Sequence, residues 1–471
     1  MTAPDPKLVL AALWRAGGQQ EAALDAVELT GAEPALPSSF AVGVAAQTAV
    51  AAAALAAAEL WRLRTGRRQR VRVDMRDAAV EFRSERYLRL EGERVWEAWD
   101  KIAGLYRCGD GRWMRLHTNL PHHRAGMLKL LGCDYERDAV QRALGRWQAE
   151  RLETAAAEAG LVATASRSFA EWDAHPQGRA VAGLPLFRIE RIGDAPPKPF
   201  PAGDRPLAGV RVLDLTRVIA GPVCGRTLAA HGADVLLVTA PHLPQMQALI
   251  IDNGRGKLST SIDLRDAGGR ETLAGLLRDA DVFVQGYRPG AIAGHGFGPG
   301  EAARLRPGIV YVSLCAYGDD GPWAPRRGFD SLVQNANGLN VAEAEAAGAS
   351  EPKPLPGQAL DHATGHLMAF AAMSALACRA REGGSWHVRI SLAQTGQWLR
   401  GLGRIDGLAC PDPGFEDVRD RLDEIASGFG KLTVARHAAA MSETPPGWAR
   451  PSVPLGTHEP VWPDRGGASS E

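Results

Sequence analysis

Asp361 closes a loop and opens a helix in the stretch Pro354-Leu-Pro-Gly-Gln-Ala-Leu-Asp361-His-Ala-Thr-Gly-His-Leu-Met-Ala-Phe370. The Pro and Gly before it break regular structure, and the Ala-rich apolar run after it favours helix. An acid at such a junction has two readings. It is an N-cap, accepting hydrogen bonds from the unpaired N–H groups of the first turn. It is also a candidate nucleophile, because the positive end of a helix dipole keeps a carboxylate ionised, and an ionised carboxylate attacks a thioester or anhydride carbonyl. The readings are not exclusive, and the local pattern alone favours the cap.

An internal repeat raises the second reading. Residues 36–78 run Leu36-Pro-Ser-Ser-Phe-Ala-Val42, then an Ala-rich helix, then the alternating strand Val71-Arg-Val-Asp-Met75. Residues 355–395 run Leu355-Pro-Gly-Gln-Ala-Leu-Asp361, then an Ala-rich helix, then Val388-Arg-Ile-Ser-Leu392. Val71 follows Pro37 by 34 positions and Val388 follows Pro356 by 32. Aligned from the Leu-Pro pair, Asp361 falls opposite Val42. Both copies keep the helix and strand, and only the second keeps the acid, which a capping role alone does not explain.

Several elements must position this acid. The Pro-rich segment 194–206 reads as a linker. After it the pattern turns βαβ, with strands expected at 210–215, 235–238, 282–284 and 309–314 and helices at 221–230 and 270–280. Such alternation gives a mostly parallel sheet. Before the linker, residues 80–193 read as a smaller α/β domain. A hairpin turns at Asp110-Gly111-Arg112, and helices are expected near 122–131, 137–159 and 168–183. The repeat helices are expected at about 43–60 and 362–379.

The fold class is therefore α/β: a Rossmann-like, mostly parallel sheet domain plus a smaller α/β domain, with an internal helix–strand repeat. The expected organisation is 1–79, a helical segment and the repeat copy without the acid; 80–193, the small domain; 194–206, the linker; 207–400, the sheet domain with the acid; and 401–471, an irregular tail.

Composition excludes several function classes. The chain has 471 residues and equal numbers of basic and acidic residues, 54 each. Nothing in that balance points to nucleic acid or an anionic membrane. The six cysteines are scattered without C-x-x-C or metal-ligand spacing, so no metal is expected, and reduced thiols suit the cytoplasm. His122 and His123 lack a third ligand nearby and read as surface or cap residues. Residues 44–60 are rich in Ala, contain Gln47 and Glu59, and fall short of about 20 apolar residues, so a close-packed soluble helix is expected. A dinucleotide site is disfavoured. The first strand is followed by Ala220-Gly-Pro-Val-Cys-Gly225 rather than a glycine fingerprint, and the second ends in Val238-Thr-Ala-Pro with no acid for a ribose hydroxyl.

The second half resembles the family III CoA-transferases, the formyl-CoA and carnitine–CoA transferase group. The matching blocks include Val212-Leu-Asp-Leu-Thr-Arg-Val-Ile-Ala-Gly-Pro222, Gly256-Lys-Leu-Ser259, Arg288-Pro-Gly290, Gly328-Phe-Asp330 and Asp361-His-Ala-Thr-Gly365. The resemblance implies that Asp361 carries CoA as an aspartyl thioester while CoA moves from an acyl-CoA to an acceptor carboxylic acid. It implies Val218, Ile219, Lys257 and Arg288 as CoA neighbours, and CoA or acyl-CoA as substrate rather than a resident cofactor. The expected partners are small-molecule acyl-CoA and carboxylic acid, with no nucleic acid and no membrane; the family's interlocked dimers leave a homodimer open. Some positions depart from the family pattern: Thr239 and Gly286 stand where an acid and an Asn are usual. The order of the halves also departs, as if one protomer were permuted and partly duplicated. Two alternatives accompany this reading. One is an acyl-CoA racemase or isomerase, disfavoured because Phe329 stands where those relatives carry a His. The other is a non-catalytic paralogue subunit.

Overall fold

The computed structural model describes residues 3–95 and 99–464. The extreme ends of the first and last expected segments, and residues 96–98 of the small domain, lie outside the described residues. A seven-stranded sheet organises the second half. Its strands lie in the order Lys257–Ser261, Asp234–Thr239, Arg211–Leu215, Val282–Gln285, Val310–Cys315, Ser385–Ser391 and Phe187–Gly193. All neighbours are parallel except the last pair. The chain steps outward from Arg211–Leu215 on one side, then returns to place Val282–Gln285 on the other. A crevice therefore opens beyond the carboxyl ends of these two strands, the topological switch point where α/β sheets bind ligands.

The last strand corrects one expected boundary. Phe187–Gly193, expected within the small domain, pairs antiparallel with Ser385–Ser391 at the edge of the large sheet. Its alternating pattern is legible as a strand, but its partner lies almost two hundred residues away and leaves no local trace. The small domain has its own antiparallel sheet, Gly104–Arg107, Trp113–Leu116 and Ala163–Ala165, packed on helices Pro121–Leu131, Arg137–Leu144 and Ala149–Glu158 around a separate core.

The repeat is symmetrical in detail. Each copy has a helix of 24 residues, Val42–Thr65 and Ala359–Glu382. Gly66 and Gly383 end them with positive φ, 76° and 73°, where a side chain would be strained. Strands Val71–Asp74 and Ser385–Ser391 follow, and then helices Met75–Glu81 and Leu392–Gly401. These last helices are N-capped by the side chains of Asp74 and Ser391.

The two long helices pack along one another in the main core. Their alanines are buried on nearly every face, so small side chains let the backbones approach closely. Val42–Thr65 is long and apolar enough to cross a membrane by composition, and 94% of its most apolar window is buried inside the protein.

The tail expected to be irregular carries strands over part of its length, while residues 442–464 hold no helix or strand. Leu422–Ser427 and Gly430–Ala435 form a hairpin that joins Arg89–Leu90 and Glu93–Arg94 in a four-stranded sheet, and Ala439–Met441 adds antiparallel to Val71–Asp74. These strands alternate weakly and take their pairing from the first half of the chain, so the Gly and Pro around them dominate the local signal.

Candidate active site

The second repeat helix begins two residues before Asp361, not at it. Gln358 occupies the N-cap position, with no side-chain capping bond, and Asp361 lies inside the first turn. The cap comes from elsewhere. The carboxylate of Asp330 accepts the backbone N–H of Asp361 at 2.8 Å, and Leu360 also donates its N–H to it. Gln334 donates its side-chain amide to the same carboxylate. The expected capping role of Asp361 therefore belongs to Asp330, and the Asp361 side chain is left free.

That side chain faces a cavity of about 290 Å³ at the switch point. The turn Arg217–Ala220 after one central strand and the turn Gly286–Pro289 after the other form two walls. Leu314–Ala316, the loop Arg326–Phe329, and Leu120, His122 and His123 of the small domain close the rest. Val218 has φ 72°, a left-handed conformation that a β-branched residue adopts only under strain. Strain of this kind concentrates where the surrounding fold fixes a functional geometry. A neighbouring cavity of about 310 Å³ shares Leu243, Tyr287, Arg288 and Ala291 and continues past Thr239 and Asp263.

Asp361 is 7% exposed. Among the described residues no N–H or O–H donates to its carboxylate, whereas Asp330 accepts several. Burial raises the pKa of both acids. For Asp330 those hydrogen bonds oppose the rise. For Asp361 the charges of Asp330 and Glu85 add to it, holding the group well above the usual carboxylate range. The expectation that the helix end keeps this acid readily ionised is thus corrected: burial and two neighbouring acids outweigh the dipole.

The flanking histidines are held by the segment just after the first repeat copy. His362 Nε2 lies 2.9 Å from Glu85. The His366 ring stacks on Phe82 at 5.8 Å, and burial lowers its pKa to about 3. On the cavity wall, burial likewise lowers the pKa of His123 to about 3. His117 stacks on Phe329 at 4.1 Å.

Of the residues singled out from sequence, Val218, Ile219, Arg288 and Asp361 meet in this one cavity. Lys257 lines a smaller adjoining cavity with Arg217 and Val218 instead. Its ammonium is fully buried and donates to Asp214 and to the Pro222 carbonyl, both at 2.8 Å. Arg217, Arg326 and Arg327 line the cavity and were not singled out; arginines in turns carry no local signature. Asp330 was visible only as the last residue of the Gly-Phe-Asp block.

A carboxylate without donors, at the switch point of a parallel sheet and ringed by arginines, suits covalent chemistry on an anionic ligand. The chain belongs to the CoA-transferase family III, whose family model matches residues 18–196 and 207–403. It is 32% identical over 330 residues to an acetyl-coenzyme A transferase of Hypoxylon pulicicidum, covering 65% of this chain and 55% of that protein. It is 31% identical over 319 residues to an acyl-CoA transferase of Gibberella moniliformis, covering 62% and 55%. It is 33% identical over 193 residues to a succinyl-CoA:glutarate CoA-transferase of Mus musculus, covering 38% and 43%. The chain thus spans about half the length of these relatives.

Proposed function

We propose that this protein moves CoA from an acyl-CoA to a carboxylic acid through an aspartyl-CoA thioester on Asp361. The observation that carries this reading is the free Asp361 carboxylate in a cavity that also holds Arg217, Arg288, Val218 and Ile219. The arginines offer guanidinium forks to the CoA phosphates. Leu120, Val218, Ile219, Leu314 and Leu392 offer apolar contact to the pantetheine arm. The adjoining cavity past Thr239 extends the site toward the nucleotide end.

The ionised Asp361 attacks the donor thioester carbonyl; the C–S bond breaks, giving a mixed anhydride and CoA thiolate. The thiolate attacks the Asp361 carbonyl and expels the donor carboxylate, leaving an aspartyl thioester. The acceptor carboxylate attacks that thioester, a second anhydride forms, and the thiolate released attacks the acceptor carbonyl. Acyl-CoA departs and the Asp361 carboxylate is regenerated. No water enters the balance, so the buried setting preserves the thioester. Each acylation also replaces a buried negative charge beside Asp330 and Glu85 with a neutral group, which returns part of the cost of ionising Asp361.

The relatives named for succinyl-CoA and glutarate make dicarboxylic acids the first substrates to assay. Six free cysteines are in keeping with a cytoplasmic setting. The test is incubation with acyl-CoA and hydroxylamine, followed by peptide mapping. A hydroxamate on Asp361 supports the reading; continued CoA transfer with Asp361 unmodified and dispensable overturns it.

A further inference from the structure

A larger cavity, of about 740 Å³, opens at the residues that lead into the second repeat helix, and it shares no lining residue with the Asp361 site. Leu355, Gly357 and Gln358 form one wall, and the small domain and the segment 83–94 form others. Six arginines line it (Arg83, Arg86, Arg89, Arg94, Arg115 and Arg137) against the carboxylates of Glu85 and Glu351. Most of these charges are engaged. Arg83 and Arg86 pair with Asp412 at 2.7 and 2.8 Å. Arg137 and Arg89 donate to backbone carbonyls. Glu85 is taken by His362.

Arg115 differs. It is 6% exposed, its Nε has no hydrogen-bond partner, and among the described residues no carboxylate lies within ion-pair distance. Its guanidinium rests on the Trp99 ring, 4.7 Å from the centroid. Burial lowers its pKa to about 10, which leaves it charged at neutral pH. Asp330 and Glu351 act on it only through space, and a buried cation with no carboxylate in direct contact is costly. A guanidinium is also a fixed fork shaped for a carboxylate or phosphate. Arg94, exposed and without an ion pair among the described residues, lines the same cavity.

We propose that this cavity is a second binding site, for an organic anion carrying two or more oxyanion groups, with Arg115 holding one group and Arg94 meeting another. Polycarboxylic acids and phosphorylated metabolites share this chemistry, and the volume admits either. The site lies one layer from the candidate nucleophile. Arg115 is within electrostatic reach of Asp330, whose carboxylate holds the Asp361 N–H. An occupant that neutralises Arg115 therefore also alters the field around the Asp330–Asp361 pair.

The test is calorimetric titration of the full chain with citrate and with inorganic phosphate, without CoA and with saturating CoA. We expect saturable binding of at least one anion, with an affinity that CoA does not change. Arg115→Met preserves the packing on Trp99 and should weaken binding roughly tenfold or more, the loss of one charge-assisted fork. Arg94→Ser, an exposed change, should weaken it by a smaller factor. Tighter citrate binding assigns the site to a polycarboxylate; tighter phosphate binding assigns it to a phosphorylated ligand. If Arg115→Met fails to fold, as judged by circular dichroism, Arg94→Ser decides. Absence of binding by both anions, unchanged affinity in the variants, or displacement of the anion by CoA overturns the proposal. Because no turnover is measured, a negative result here leaves the role of Asp361 to its own experiment.

Discussion

Asp330 holds Asp361 by its backbone and opposes it by its charge: the Asp330 carboxylate accepts the Asp361 N–H at 2.8 Å, while its negative charge raises the Asp361 pKa. The same contact fixes the first helical turn and makes the neighbouring side chain reluctant to ionise. A helix end whose first donors are already taken cannot also stabilise Asp361. Burial and the two neighbouring acids therefore raise the energy of its ionised form, which favours attack on a carbonyl.

Asp330→Asn keeps an oxygen that can accept an N–H, and removes the repulsion. A like charge raises a carboxylate pKa, so its removal lowers the Asp361 pKa. In kcat against pH, the rise attributed to Asp361 ionisation should move to lower pH than in the wild type. Asp330→Ala loses the acceptor as well, and should cost about 1 kcal/mol of helix-end stability. It should also lower kcat at every pH. An Asp330→Asn profile that coincides with the wild type would show that the two acids are not coupled.

Lys257 makes a contrasting prediction. Its ammonium and the Asp214 carboxylate are both fully buried and pair at 2.8 Å. Lys257→Met strands Asp214, so unfolding in denaturant should show a loss of about 3–5 kcal/mol. CoA affinity of the remaining folded protein should stay near the wild-type value. Arg288→Ala, at the cavity wall, should do the reverse: unchanged stability, and CoA binding weakened by roughly tenfold. Calorimetry on both variants separates a structural lysine from a ligand-binding arginine.

Gly365 is required by close approach. A Cβ there would lie 2.5 Å from the Ala220 carbonyl oxygen and 2.6 Å from Val223 Cβ. Ala220–Ala230 is the helix that follows the strained Val218 turn. Gly365→Ala gains helix propensity of about 1 kcal/mol, but overpacking costs about 1–3 kcal/mol. The melting temperature should fall, and CoA affinity should fall with it, because the displaced helix carries one wall of the site. A variant with unaltered CoA affinity would separate the packing of these helices from the ligand cavity.

Much of this was legible in the chain itself. The central strands are short, apolar, β-branched runs, and burial on both faces makes them stand out. The repeat was visible because both copies keep a Leu-Pro entry, an Ala-rich helix and an alternating strand. What escaped was long-range pairing. Asp330 caps a helix 31 positions away, and Lys257 finds Asp214 at a separation of 43. Neither contact has a period or a motif. The ion pair of Lys257 with Asp214 and the cap that Asp330 supplies at Asp361 are therefore seen only in the fold. Arg217 was missed for the opposite reason: a single basic residue in a turn has no pattern until the sheet brings two turns together.

Asp361 itself decides the chemistry. Because Asp361 makes no capping bond, Asp361→Asn should not lose a cap. The folded-state pKa of Asp361 is raised, so its contribution to stability is fully present below the unfolded carboxylate value and is lost as pH rises through the folded value. Asn has no charge to bury. The variant should therefore gain thermal stability relative to wild type as pH increases, with a slope of at most about 1.4 kcal/mol per pH unit for one proton. Turnover should fall by several orders of magnitude, because an amide cannot form the anhydride. CoA affinity should persist, since the arginines and apolar walls are untouched. Melting curves across pH, CoA transfer assays and hydroxylamine trapping of the wild type measure the three consequences separately. If Asp361→Asn transfers CoA at a near-normal rate while its stability follows the expected pH course, the geometry is right and the nucleophile is another group. If activity is lost and wild-type Asp361 becomes a hydroxamate only when acyl-CoA is present, the carboxylate carries the acyl group and CoA in turn.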